Sequence, residues 1–457
     1  MNAKWPFWIC RVIVLGWIAL SGAPGQSAST TDALSAGFAR FDITPDLRLS
    51  NWITHQPYGE MLEPVYVRAL VLAQGTNRFA WLSWELLYPM EGAVSTVRQR
   101  ITRETGIPGL HILVTATHNH SAPWSPIFDT PLTHAEQKVL ESFLTDPLYP
   151  AWTEKLLELS VRAVKQADAT RRPATLALGR AYAGDQIFNR RPRKPDGTVQ
   201  GMATPANPYV LPDGLRFAPV DPTMSVLVLR DAQHQIIGTV FSLPCHAVSI
   251  YPTYNGISSD WAGTAATALS QALGGEALFL QGCAGNIVPA RRGLAARDEM
   301  VKVLVDRAAD AAKCAQTLDT QPRLQVAREW VQAPVTETVR HDTGRNHFTA
   351  EVQALCWGDL ALVTLPGEPM IELALAIQAR SPFPHTIIIG YANGYGVQYV
   401  GMPGEKALGG YEVGSRNLGT DECGQLLVDA AVRLLEQQAK AKQTTGPTTA
   451  PSRASGG

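Results

Sequence analysis

His111-Ile-Leu-Val-Thr-Ala-Thr-His-Asn-His-Ser-Ala-Pro123 decides how the rest of this chain is read. Its β-branched run predicts a strand, and His118 and His120 follow where that strand should stop. Alternate residues of an extended chain project to one side, so this spacing predicts two imidazoles facing one site. Neutral imidazole is a common zinc ligand. A lone His-x-His fits two ordinary polar residues at a strand end equally well, so the weight falls on what later segments add.

Phe241-Ser-Leu-Pro-Cys-His-Ala-Val-Ser249 delivers His246 after another apolar strand. In Ser258-Ser-Asp-Trp-Ala-Gly263, Asp260 either caps the next helix or steadies a ligand imidazole; capping is the simpler reading. Leu365-Pro-Gly-Glu-Pro369 sets Glu368 after a strand and a tight turn, where a helix should begin. A carboxylate there gains from the helix dipole, which explains it as well as metal ligation does. In Tyr391-Ala-Asn-Gly-Tyr-Gly-Val-Gln-Tyr399, spacing alone makes Tyr395 and Tyr399 packing residues.

Elsewhere strand and helix patterns mix. Strands are expected over residues 37–45, 65–73 and 78–87, and a hairpin over 224–229 and 236–243. Further strands are expected at 277–281, 350–356, 360–365 and 386–390. Thr133-His-Ala-Glu136 is a capping box opening a helix, and an apolar face marks another over 150–167. A helix over 261–273 should stop at Gly274-Gly275; others are expected over 298–315 and 423–438. The reading is an α/β fold of mixed sheets flanked by helices, one large domain over residues 35–438, with no repeat visible in the sequence.

Of 457 residues, 45% are hydrophobic and 17% charged, with a net charge of −1. That balance supports a large core and excludes the basic face that nucleic-acid binding requires. Lys4 and Arg11 precede the apolar run Val12–Leu20 and then small residues, the order of an export signal over residues 1–28. The chain is therefore expected to be secreted or periplasmic. Without Cys10, five cysteines remain and none forms a C-x-x-C pair. A thiolate metal site is thereby unexpected; a Cys245–Cys283 bridge and buried free thiols are equal alternatives. Residues 439–457 are polar and read as a disordered tail.

In order, these segments resemble the neutral/alkaline non-lysosomal ceramidase family, in its amino-terminal catalytic domain. The resemblance runs through Asp42-Ile-Thr-Pro45, Tyr66-Val-Arg-Ala-Leu70, Ala116-Thr-His-Asn-His-Ser121 and Phe188-Asn-Arg-Arg191. It continues through Cys245-His-Ala-Val-Ser249, Gly282-Cys-Ala-Gly-Asn-Ile-Val-Pro289, Pro366-Gly-Glu368 and Gly410-Tyr-Glu412. It implies one zinc ion held by His118, His246, Glu368 and Tyr399, the last preferred to Tyr395 for its interval before Tyr411. It implies further that His120, beside the metal, moves a proton to the leaving amine, and that Tyr399 hydrogen-bonds the oxyanion. Arg190 or Arg191 would bind a polar head group, and Trp124 would line the pocket. The implied activity is zinc-dependent hydrolysis of the amide of N-acyl sphingosine or a related amphiphile, with peripheral contact to a membrane.

The family's Gly-Asp-x-Ser-Pro is here Gly285-Asn-Ile-Val-Pro289, so Val288 replaces a serine and can make no hydrogen bond. The glycine-rich continuation of the first motif becomes Ser121-Ala-Pro-Trp-Ser125. These changes touch substrate handling more than metal binding. They keep open a zinc esterase or deacylase for another acylated substrate, and a silent protein that uses the metal structurally.

Overall fold

One succession of elements occurs three times: three strands in an antiparallel meander, a helix, a fourth strand parallel to the third, and a second helix. The first unit has strands Leu34–Asp42, Tyr66–Gln74 and Asn77–Trp84, helix Glu91–Thr105, strand Ile112–Ala116 and helix Tyr149–Ala169. The second has strands Thr175–Tyr182, Thr223–Arg230 and Ile236–Leu243, helix Asp260–Leu273, strand Glu276–Gln281 and helix Leu294–Lys313. The third has strands Gln325–Pro334, His347–Trp357 and Leu360–Thr364, helix Ile371–Arg380, strand His385–Ile389 and helix Cys423–Thr444.

In each sheet the spatial order is fourth, third, second, first. The third and fourth strands are parallel in every unit, and the second helix packs on the first two strands. No repeat was expected from the sequence. It lies in topology, because a strand face constrains apolar character and volume rather than residue identity.

This computed structural model describes residues 33–128, 130–320 and 323–444. The expected signal over residues 1–28, with Cys10, and the tail beyond 444 lie outside the described residues. Among the described residues no helix is long and apolar enough to cross a membrane.

Side-chain alternation gives each sheet two uses. One face of all three sheets meets in a common cluster, with Leu70 and Trp81 from the first, Leu227 and Leu278 from the second, and Leu355 and Leu362 from the third. The opposite faces, such as Ala69, Val71 and Leu82 in the first unit, pack beneath the helices. Each large side chain buried in this way contributes about 1.5–3 kcal/mol relative to exposure, so the three units form one domain. Arg68 ties the first unit to the second. Its buried guanidinium pairs with Glu85 at 2.7 Å and donates to Thr267 Oγ1 at 2.7 Å and to the Ala277 carbonyl at 3.2 Å.

The capping box at Thr133 opens the helix His134–Leu144 as expected, and the hairpin of the second unit forms as read. All five cysteines from Cys245 to Cys423 are free thiols, which decides between the two alternatives: Cys245 and Cys283 are not bridged. One expected boundary fails. The last helix runs past Gln438 to Thr444, because Ala439 packs on the core and Lys442 reaches Asp359 at 2.8 Å.

Candidate metal centre

The candidate ligands, and the histidine and tyrosines beside them, follow the carboxyl ends of third or fourth strands. Tyr88, His246 and Glu368 follow the third strands, ending at Trp84, Leu243 and Thr364. His118 and His120 follow the first unit's fourth strand, and Tyr391, Tyr395 and Tyr399 follow the third unit's. Gln281 stitches these ends together. Its amide donates to the carbonyls of Thr117 and Cys245 and accepts from the backbone of Cys245 and Gly282. The residue before each of two candidate histidines is thus fixed by one buried side chain.

His118 and His120 do not alternate along a strand as expected. The strand ends at Ala116 and His118 turns left-handed, with φ +60°. The turn still joins the two imidazoles: their Nε2 atoms lie 3.2 Å apart, with the rings nearly perpendicular. His246 joins them, and ligand nitrogens of all three rings lie within 4.8 Å of one another. His120 therefore belongs to the nitrogen cluster, closer in than a flanking role requires.

Glu368 completes the centre. The turn before it needs Gly367, at φ +71°, since a Cβ there would sit 2.5 Å from the Gln398 carbonyl oxygen. A short parallel pairing sets Glu368 beside Tyr399. Glu368 Oε2 lies 3.1 Å from His118 Nε2 and 3.2 Å from His246 Nε2, and all three side chains are buried. His246 Nδ1 donates to the Ala284 carbonyl at 2.6 Å, and His118 Nδ1 to the Leu87 carbonyl at 3.1 Å. Each Nε2 of a neutral ring then carries a lone pair, as the carboxylate oxygen does. Glu368 Oε2 accordingly has no hydrogen-bond partner. Acceptors converging without a proton are what a cation resolves, and two imidazoles with a carboxylate are donors that suit zinc.

Electrostatics agree with that donor set. Burial, then Arg190 and His118, pull His246 down to about 3. Burial and the neighbouring imidazoles likewise hold His120 well below the usual imidazole range. Both rings are neutral at ordinary pH, the form that ligates metal.

Tyr399, the fourth expected ligand, is buried with its hydroxyl 3.4 Å from His246 Nε2. Burial, then the Glu368 charge, raise its pKa well above the ordinary phenol value. Arg190 donates to that hydroxyl at 3.0 Å, to the Gly285 carbonyl at 2.8 Å and to Glu412 at 2.6 Å. Tyr395 points elsewhere, its hydroxyl donating to Glu136.

The expected head-group role of Arg191 is corrected. It is fully buried, pairing with Glu412 at 2.7 Å and Glu405 at 2.9 Å, so no substrate reaches it. Trp124 is 1% exposed and packs on Trp52 and Tyr88, which makes it an inner wall. Asp260 touches no imidazole. It receives the backbone N–H groups of Ser249, Ile250 and Trp261, fixing the loop after His246. Asn286 accepts from Ile371 N at the start of a helix and donates to Glu372, a structural post. Val288 lies in an apolar cluster with Phe188 and Val248, against which Tyr251 packs. Tyr251 in turn faces His120, with ring centroids 5.0 Å apart.

Sequence reasoning misses Tyr88, Gln281 and the role of Glu412. The available signal for Tyr88 was its place after an apolar strand, the place His246 and Glu368 share.

No protein-family model matches the sequence, and no curated protein matches it. Solved structures do. A neutral ceramidase from Pseudomonas aeruginosa is 20% identical at TM-score 0.71, covering 89% of this chain and 75% of that one. A ceramidase complexed with C2 is 19% identical at TM-score 0.70, covering 89% and 76%. By this breadth of superposition, the chain has the fold of the neutral ceramidases.

Proposed function

We propose that this protein is an exported zinc-dependent hydrolase that cleaves the amide of an N-acyl amphiphile of the ceramide type. The observation that carries the reading is Glu368 Oε2, buried between two imidazole nitrogens with no hydrogen to share. The likeness to neutral ceramidases supports the substrate class. His118, His246, Glu368 and Tyr399 would hold the ion. When bound, zinc supplies Lewis acidity toward an acyl carbonyl and activation of water near neutral pH.

The chain's own residues do the rest. His120 stands in the nitrogen cluster and its Nδ1 has no partner in the protein, so that nitrogen is free to relay a proton toward the departing nitrogen. Tyr399 stays protonated and can donate to an oxyanion. Arg190, anchored by Glu412, keeps that phenol in place. The wall of Trp52, Trp124 and Tyr88 excludes water from one side.

Purified protein should carry about one zinc ion per chain and release fatty acid from N-acyl sphingosine, with loss of turnover in His246→Ala. A metal-free preparation of undiminished activity would refute the proposal. The apolar setting of Val288 favours a second reading, another acylated substrate. Hydrolysis of short-chain esters or acetylated sugars in place of N-acyl sphingosine would select it.

A further inference from the structure

Tyr88 is the first unit's counterpart of two proposed ligands. It stands four residues beyond the end of the third strand, as Glu368 does in the third unit, and His246 stands three beyond in the second. It is 2% exposed and meets Trp124, Tyr395 and His118 at ring-centroid distances of 5.0, 4.8 and 5.1 Å. Its hydroxyl donates to Glu368 Oε1, the carboxylate oxygen turned away from the imidazoles. Gln398 donates to the same hydroxyl at 3.4 Å. The preceding residue, Leu87, supplies the carbonyl that holds His118 Nδ1. Two adjacent residues thus orient two of the proposed ligands from outside.

We infer that Tyr88 is a positioning residue for the metal carboxylate: its hydroxyl occupies Glu368 Oε1 and leaves Oε2 alone to face the ion. The inference rests on the metal reading above. Outer partners of this kind typically govern metal affinity by about 10- to 100-fold. Without the hydroxyl, Oε1 becomes a buried acceptor lacking a donor, and the carboxylate is free to rotate.

The test compares zinc affinity, by chelator competition, in wild type, Tyr88→Phe, Tyr395→Phe, Glu368→Gln and the double variant Tyr88→Phe/Glu368→Gln, with folding checked by circular dichroism. Tyr88→Phe should weaken zinc binding about 10- to 100-fold. Tyr395→Phe, which removes a neighbouring buried hydroxyl that does not touch Glu368, should bind as wild type. In the Glu368→Gln background the Tyr88 change should add little, the coupling expected of groups in contact. Equal affinity in Tyr88→Phe, an equal loss in Tyr395→Phe, or full additivity with Glu368→Gln overturns the inference while leaving the metal reading standing. A wild type that binds no zinc overturns both.

Discussion

At the scale of single residues, two adjacent arginines do different work. Arg191 neutralises Glu405 and Glu412 out of water. Removing one partner of a buried pair typically costs about 3–5 kcal/mol, so Arg191→Met should lower the melting temperature sharply while surviving folded protein keeps its KM. Arg190→Lys keeps the charge but loses the fork that reaches Glu412, Gly285 and Tyr399 together. It should lower kcat at least tenfold with little change in melting temperature, read by steady-state kinetics beside thermal denaturation. His246 adds a pH dependence. Its folded value of about 3 lies below the unfolded value of about 6.5, so the unfolded chain binds the extra proton between them. Stability of metal-free protein should be full above about pH 6.5 and fall by up to about 1.4 kcal/mol per pH unit below it. Denaturant titrations of wild type and His246→Gln should show a shallower acid slope in the variant.

At the scale of elements, legibility followed how local the cause was. The Thr133 capping box and the Ile236–Leu243 hairpin strand are set by neighbours in sequence, and both were read. The helix Glu91–Thr105 escaped because Met90 gives it no side-chain cap. The strand Gln325–Pro334 escaped because it is an edge strand with much of its surface in water. The four proposed ligands came from a resemblance, not from periodicity; spacing alone made Tyr399 a packing residue. The strand ends that carry them depend on Gln281, whose contacts at Thr117 and Cys245 no local pattern reveals. Gln281→Ala leaves buried backbone groups unpaired, at about 1–3 kcal/mol each. It should lower melting temperature and zinc affinity together; a stability loss with wild-type zinc affinity would remove its role in aligning the two histidines.

At the scale of the whole molecule, the three units share one apolar centre and one polar end. The proposed ligands come from all of them: His118 from the first, His246 from the second, Glu368 and Tyr399 from the third. A bound ion then acts as a clasp between units. At a free concentration a hundred times its Kd, zinc should stabilise the fold by about 2.7 kcal/mol. Differential scanning calorimetry should show a rise in melting temperature with zinc and a fall with chelator, in one cooperative transition. Separate transitions for the units, or no response to zinc, would contradict a shared clasp.

Because the proposed donors are spread from residue 118 to residue 399, a growing polypeptide holds no complete set until residue 399 has left the ribosome. Any amino-terminal fragment that stops sooner carries at most three of the four, so on the proposed ligand set metal capture would report that synthesis has passed into the third unit and that this unit has docked.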